Sequence, residues 1–69
     1  MSKYDWSTIP KKWKWCATDE NKMKTFFTHK PKMNTKYCEW LVKTGDYHVY
    51  MGGGSYQGDW RDSLEERPK

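Results

Sequence analysis

The sequence predicts a mainly β, α+β domain, a four-stranded antiparallel meander of two hairpins closed by a short C-terminal helix. Three observations carry that expectation. Short stretches alternate ring and polar side chains at the period of a strand. Polar or glycine-containing segments of turn chemistry separate them. Near the end of the chain Asp59 stands ahead of Trp60 and Leu64, which fall one helical turn apart.

The first strand is expected over Trp13 to Thr18, with Trp13, Trp15 and Ala17 on one face and Lys14, Cys16 and Thr18 on the other. Asp19, Glu20, Asn21 and Lys22 read as a hairpin loop into a second strand, Met23 to Thr28, which holds the Phe26 and Phe27 pair. His29 to Lys36 contains Pro31 and Asn34 and has no period, so it reads as a surface loop. A third strand follows over Tyr37 to Lys43. Thr44, Gly45 and Asp46 turn the chain into a fourth, Tyr47 to Met51, which is expected to complete the second hairpin. Gly52, Gly53 and Gly54 break the sheet. Asp59 then caps a helix in which Asp62 favours the positive end, Trp60 and Leu64 cover a sheet face, and Pro68 is the stop.

With 69 residues there is room for a single domain, expected to span 1–69 with frayed ends at about 1–8 and 67–69. Ile9, Leu41, Val42, Val49 and Leu64 are the only Ile, Leu or Val residues, so the core must be built from rings. Aromatic residues make up 17% of the chain, too many for a disordered tail even with 32% charged residues.

The net charge is +4 and the body is rich in Lys, whereas the stretch from Asp59 to Glu66 is acidic. A basic body favours anionic partners, among them nucleotides, nucleic acid and acidic protein surfaces. Lys14, Lys24, Lys30, Lys32 and Lys36 interleave with Trp13, Trp15, Phe26 and Tyr37, the combination with which small folds hold bases and phosphates. The same rings are needed for the core, so a binding face requires several to stay outside it. The acidic stretch argues against general nucleic-acid binding.

Two cysteines, Cys16 and Cys38, are too few for a disulfide framework, although one bridge stays open. No apolar run resembles a signal peptide or a membrane span, so no membrane association and a cytoplasmic location are expected. Cys16, His29, Cys38 and His48 supply zinc-ligand types without any close CxxC or HxxxH pair, and no metal or cofactor is expected. A Cys and His nucleophilic site would also need an oxyanion hole and a shaped cleft, for which so small a domain has little spare structure. The chain therefore reads as a non-enzyme. The glycines from 52 to 58 fit neither the dinucleotide nor the triphosphate-loop spacing: Asp59 and Trp60 stand where Lys and Ser or Thr would be required. What they leave is a linker, or a loop between Tyr50 and Tyr56 that closes over a ligand.

The segment Pro10-Lys-Lys-Trp13-Lys-Trp15-Cys-Ala17-Thr-Asp19 and the ending Asp59-Trp60-Arg61-Asp62-Ser63-Leu64-Glu65-Glu66-Arg67-Pro68 together resemble small uncharacterised proteins of tailed bacteriophages. That resemblance implies action inside a bacterial host cell, in host takeover or counter-defence, by capturing a nucleotide signal or binding a host protein. The expected function is capture of an anionic, nucleotide-like ligand by Lys14, Tyr50, Gly53, Gly54, Tyr56, Trp60 and Arg61. The alternative is an inhibitor that docks on a host enzyme through an aromatic surface or sheet edge. A small aromatic sheet is also one that a homo-oligomer would complete.

Overall fold

Alternation along the strands decides which side chains share a face, and here both faces of the central sheet are covered. The computed structural model describes residues 3–50 and 56–69. Its central sheet is formed by β1 (Trp15–Thr18), β2 (Lys24–Phe27), β5 (Tyr47–Val49) and β6 (Glu65–Glu66), in the order β5-β2-β1-β6. A separate two-stranded sheet pairs β3 (Lys32–Asn34) with β4 (Glu39–Leu41). All these pairings are antiparallel.

The β1–β2 hairpin forms as the sequence predicts, with Cys16 opposite Phe26 and Ala17 opposite Thr25. Its loop is closed by Asp19 N–H donating to the Met23 carbonyl at 3.0 Å and Lys22 N–H to the Asp19 carbonyl at 2.9 Å. Asn21 Oδ1 accepts the Met23 N–H at 3.0 Å, the local bond that makes Asn a turn residue.

Phe26 and Cys16 point to one face, where they cluster with Tyr4, Trp6 and Ile9; Trp13 and Tyr56 pack on the margin. Ala17 and Phe27 point to the other, where Trp40 covers them with help from Trp15, Val42, Trp60 and Leu64. Cys16 and Ala17 are each 0% exposed, so β1 is sandwiched on both sides. Trp13 was expected beside Trp15 and Ala17. It joins the opposite cluster because the strand begins only at Trp15 and the two-residue period does not extend back to it.

The expected second hairpin is not formed. The third strand is shorter and pairs backward, because the stretch read as a loop contains β3. Pro31 lies just outside that strand, where no ladder N–H is required. Asn34 Oδ1 accepts the Lys36 N–H at 3.1 Å, and Cys38 at φ +54° supplies the left-handed residue that returns the chain. The turn at 44–46 is present, but it carries the chain across to β2: Asp46 N–H donates to Thr28 Oγ1 at 2.9 Å and Thr28 N–H to the Asp46 carbonyl at 3.1 Å. Gly45 makes this turn at φ +84°, and a Cβ there would collide with the side chains of His29 and Thr28.

The C-terminal helix is reduced to one 3₁₀ turn, Trp60–Asp62. Asp59 caps it as expected, accepting the Arg61 N–H at 3.0 Å. The helix cannot continue because Ser63, fully buried, is held by the sheet: its hydroxyl accepts the Thr18 N–H at 2.8 Å. The chain then runs on as β6 beside β1. Trp60 and Leu64 still cover the same cluster, from a turn and an extended segment in place of a helix.

Within the ends expected to fray, Tyr4 and Trp6 are buried. The Tyr4 hydroxyl donates to the Ser63 carbonyl at 2.7 Å and lies 2.8 Å from Thr18 Oγ1; burial pushes its pKa above the usual phenol range. Trp6 Nε1–H donates to Glu65 at 2.7 Å. The Arg67 guanidinium lies over the Trp6 ring and donates to the carbonyls of Pro10, Ile9, Trp13 and Trp6 at 2.8, 2.9, 3.1 and 3.4 Å.

Candidate ligand-binding site

Residues expected to form one site fall in separate places. Gly53 and Gly54 lie outside the described residues. Lys14 is exposed on the chain entering β1, beside Lys11, Glu66, Arg67 and Lys69. Its backbone is committed to the sheet, donating to the Phe27 carbonyl at 2.9 Å and accepting from Arg67 N–H at 2.7 Å. Tyr56 packs on the first core cluster and lies under Lys3, whose Nζ is 6.0 Å from its ring centre.

Trp60 and Arg61 border an open groove of about 540 Å³ with Glu20, Lys22, Cys38 and Asp59. Trp60 is anchored edge-on to Trp40, whose Nε1–H donates to the Trp60 carbonyl at 3.2 Å. Arg61 is engaged by its neighbour. Its guanidinium donates to both carboxylate oxygens of Asp59, at 3.1 and 2.7 Å, which neutralises the charge a phosphate would need.

The same hydrogen bonds hold the Asp59 carboxyl well below its ordinary value, at about 2. A carboxylate depressed in the folded state contributes stability above its unfolded pKa and loses it as pH falls through the folded one. The loss runs from the unfolded value of 3.8 down to the folded-state titration near 2. Carboxyl-carbon NMR is expected to show Asp59 titrating there, and in Arg61→Ala to return it to the ordinary Asp range; an unchanged midpoint would mean that Arg61 is not the cause.

Among the described residues expected to form the site, Tyr50 alone lies in a ring-lined cleft. That cleft, about 270 Å³, is bordered by Thr8, Ile9, Pro10, Trp13, Phe26 and His48. Each wall follows from the fold. Phe26 and His48 are cross-strand partners on β2 and β5 and so share a face. Tyr50 continues that face, its N–H donating to the Lys24 carbonyl at 2.9 Å, and packs edge-on to Phe26 at 5.8 Å. Ile9 and Pro10 are fixed by the carbonyl bonds to Arg67.

Trp13, His48 and Tyr50 stand in a row, with ring centres 6.0 and 6.5 Å apart along it. A cation flanks each end. Lys12 Nζ lies 4.6 Å from the Trp13 ring centre and Lys24 Nζ 5.3 Å from that of Tyr50. Lys12 also makes a long, exposed ion pair with Asp46 at 3.6 Å, which water screens. Sequence reasoning noticed Tyr50 and the interleaving of Lys with rings. It missed His48, whose meeting with Trp13 depends on β5 pairing with β2, and Ile9 and Pro10, which Arg67 holds from 57 and 58 residues away.

Both cysteines are free thiols, Cys16 buried and Cys38 half-buried. Each is pushed up in pKa, Cys16 by burial and Cys38 by its hydrogen bond to Glu20, so neither is drawn toward the thiolate that nucleophilic chemistry uses. Among the described residues no three His, Cys, Asp or Glu side chains converge as metal ligands, and no helix is long and apolar enough to cross a membrane.

Compared with protein-family models, curated proteins and solved structures, the chain matches none.

Proposed function

We propose that this protein is a non-enzymatic binder that takes an anionic, base-bearing small ligand into the cleft between Pro10, Trp13, His48 and Tyr50. The observation that supports this reading most is the row of three rings with an ammonium group at either end. A planar base gains from stacking on such rings, and a phosphate gains from the exposed Lys12 ammonium just beyond the stack. In a phage setting, holding a nucleotide signal in this way would serve counter-defence without any chemical step. On this reading the binding face is Trp13, His48 and Tyr50 together with Lys12, and Trp60 and Arg61 belong to the separate groove beside Glu20 and Lys22.

Isothermal titration with a panel of nucleoside phosphates and short cyclic oligonucleotides tests the reading. At least one is expected to bind, and Trp13→Ala is expected to weaken it by about 1–3 kcal/mol, roughly five- to 150-fold, the contribution of one stacking ring. Circular dichroism checks that the variant is folded, since Trp13 also touches the core margin. A panel in which nothing binds, or a folded Trp13→Ala with full affinity, would overturn it.

A further inference from the structure

The central sheet ends on one side at β5, and the register shows which backbone groups that edge leaves outward. Phe26 pairs with His48, and the bonds from Tyr50 N–H to the Lys24 carbonyl and from Thr28 N–H to the Asp46 carbonyl lie two residues to either side. In an antiparallel ladder the bonded pairs alternate, so Lys24/Tyr50, Phe26/His48 and Thr28/Asp46 are the bonded ones. Tyr47 and Val49 fall between them and direct both N–H and C=O away from β2. Among the described residues no backbone group meets theirs on that side.

Edge strands are usually blunted by Lys, Pro, a bulge or a covering segment. β5 carries neither of the first two: Tyr47, His48 and Val49 include no Lys and no Pro, and all are exposed, Tyr47 at 67%. The opposite edge is different. There β6 is two residues long and Lys3 is fastened to it through Glu65 and the Leu64 carbonyl.

The register points to a second copy of this chain as the occupant of the β5 edge, two β5 strands pairing antiparallel about a two-fold axis through His48. Self-complementarity selects this occupant. In that register Tyr47 of each copy lies opposite Val49 of the other, and both copies present outward groups at both positions, which gives four main-chain hydrogen bonds. On one face an aromatic ring then meets a β-branched side chain twice, a favourable cross-strand pair. On the other, Asp46 comes opposite Tyr50 of the second copy. Tyr50 already carries Lys24 Nζ at 5.3 Å, so opposite charges bracket each ring. The result is one sheet of eight strands in which the two ring-lined clefts adjoin at His48. The pairing does not rest on the ligand reading, since no ligand takes part in it.

Sedimentation equilibrium on the ligand-free chain, with amide hydrogen exchange, tests it. A species of twice the 8.4 kDa chain mass is expected, with the Tyr47 and Val49 amides gaining protection as concentration rises. Val49→Pro removes one outward N–H and no bond within the subunit, so it is expected to give a folded monomer. Tyr47→Lys with Val49→Lys, which restores the missing edge charges, is expected to do the same should proline disturb the strand. A wild-type chain that remains monomeric at the highest soluble concentration overturns the proposal. So does a dimer whose Tyr47 and Val49 amides stay unprotected or which survives both variants.

Discussion

Replacing Phe26 by Ala is expected to abolish most of the folding free energy. Phe26 is 2% exposed and holds Trp6 edge-on at 5.3 Å on one side and Tyr50 at 5.8 Å on the other. A buried Phe cut to Ala costs about 3–5 kcal/mol, from lost transfer free energy and from the cavity left behind. At the usual ~0.05–0.15 kcal/mol per residue, a 69-residue domain has only about 3–10 kcal/mol in total. The variant should therefore populate the unfolded state without denaturant or unfold at much lower urea. Rigid rings such as Trp6 and Tyr50 have little freedom to collapse into the gap. Phe26→Leu, which keeps most of the volume, should lose less than half as much. A Phe26→Ala urea curve shifted by under ~1 kcal/mol would show that this cluster does not support the fold.

The second large effect is expected at Arg67, a residue that looks like part of a polar chain end. Its guanidinium uses four N–H···O contacts to tie down the segment from Trp6 to Trp13, and it covers the Trp6 ring. Hydrogen bonds to a charged group contribute about 1.5–3 kcal/mol each when isolated, but a half-buried, shared donor delivers less than the sum. Arg67→Ala is expected to cost about 2–3 kcal/mol. Arg67→Lys should recover little of it, because one ammonium cannot reproduce a planar fork aimed at several carbonyls. Urea unfolding gives the magnitude, and amide exchange across residues 6–13 gives the location. Wild-type exchange in that segment would mean the contacts are decorative.

The first hairpin was legible because its signals are local. Alternation from Trp15 to Thr18, the polar residues at 19–22 and the Phe pair all lie within thirteen residues and agree. The Asp59 cap and the turn at Gly45 were legible for the same reason. Strand partners were not. Nothing in Tyr47–Val49 states that it prefers β2 to the chain just before it; that choice follows from the Cys38 turn, which gives β4 a nearer partner in β3, and from Thr28 capturing Asp46. The helix from Asp59 was misread in length because Ser63 is an ordinary helix-surface residue by sequence. Only its buried bonds to Thr18, 45 residues away, reveal why the chain straightens. The ring-lined cleft inherits this limit, since three of its walls meet only through the β2–β5 pairing.

The bond from Lys3 to Glu65 joins residues 62 apart, and that from Arg67 to Pro10 joins residues 57 apart. A chain emerging from the ribosome in order can close the β1–β2 hairpin early and offer Cys16, Thr18 and Phe26 to Tyr4 and Trp6, yet the bonds of those two residues to Ser63 and Glu65 and the Arg67 cover on Trp6 must wait for residues 63–67. Until then the ring-rich N-terminal segment is held on one side only, and long loop closures are slow to form. The segment around Tyr4 and Trp6 is thus fastened in two stages, by the hairpin first and by residues 63–67 second.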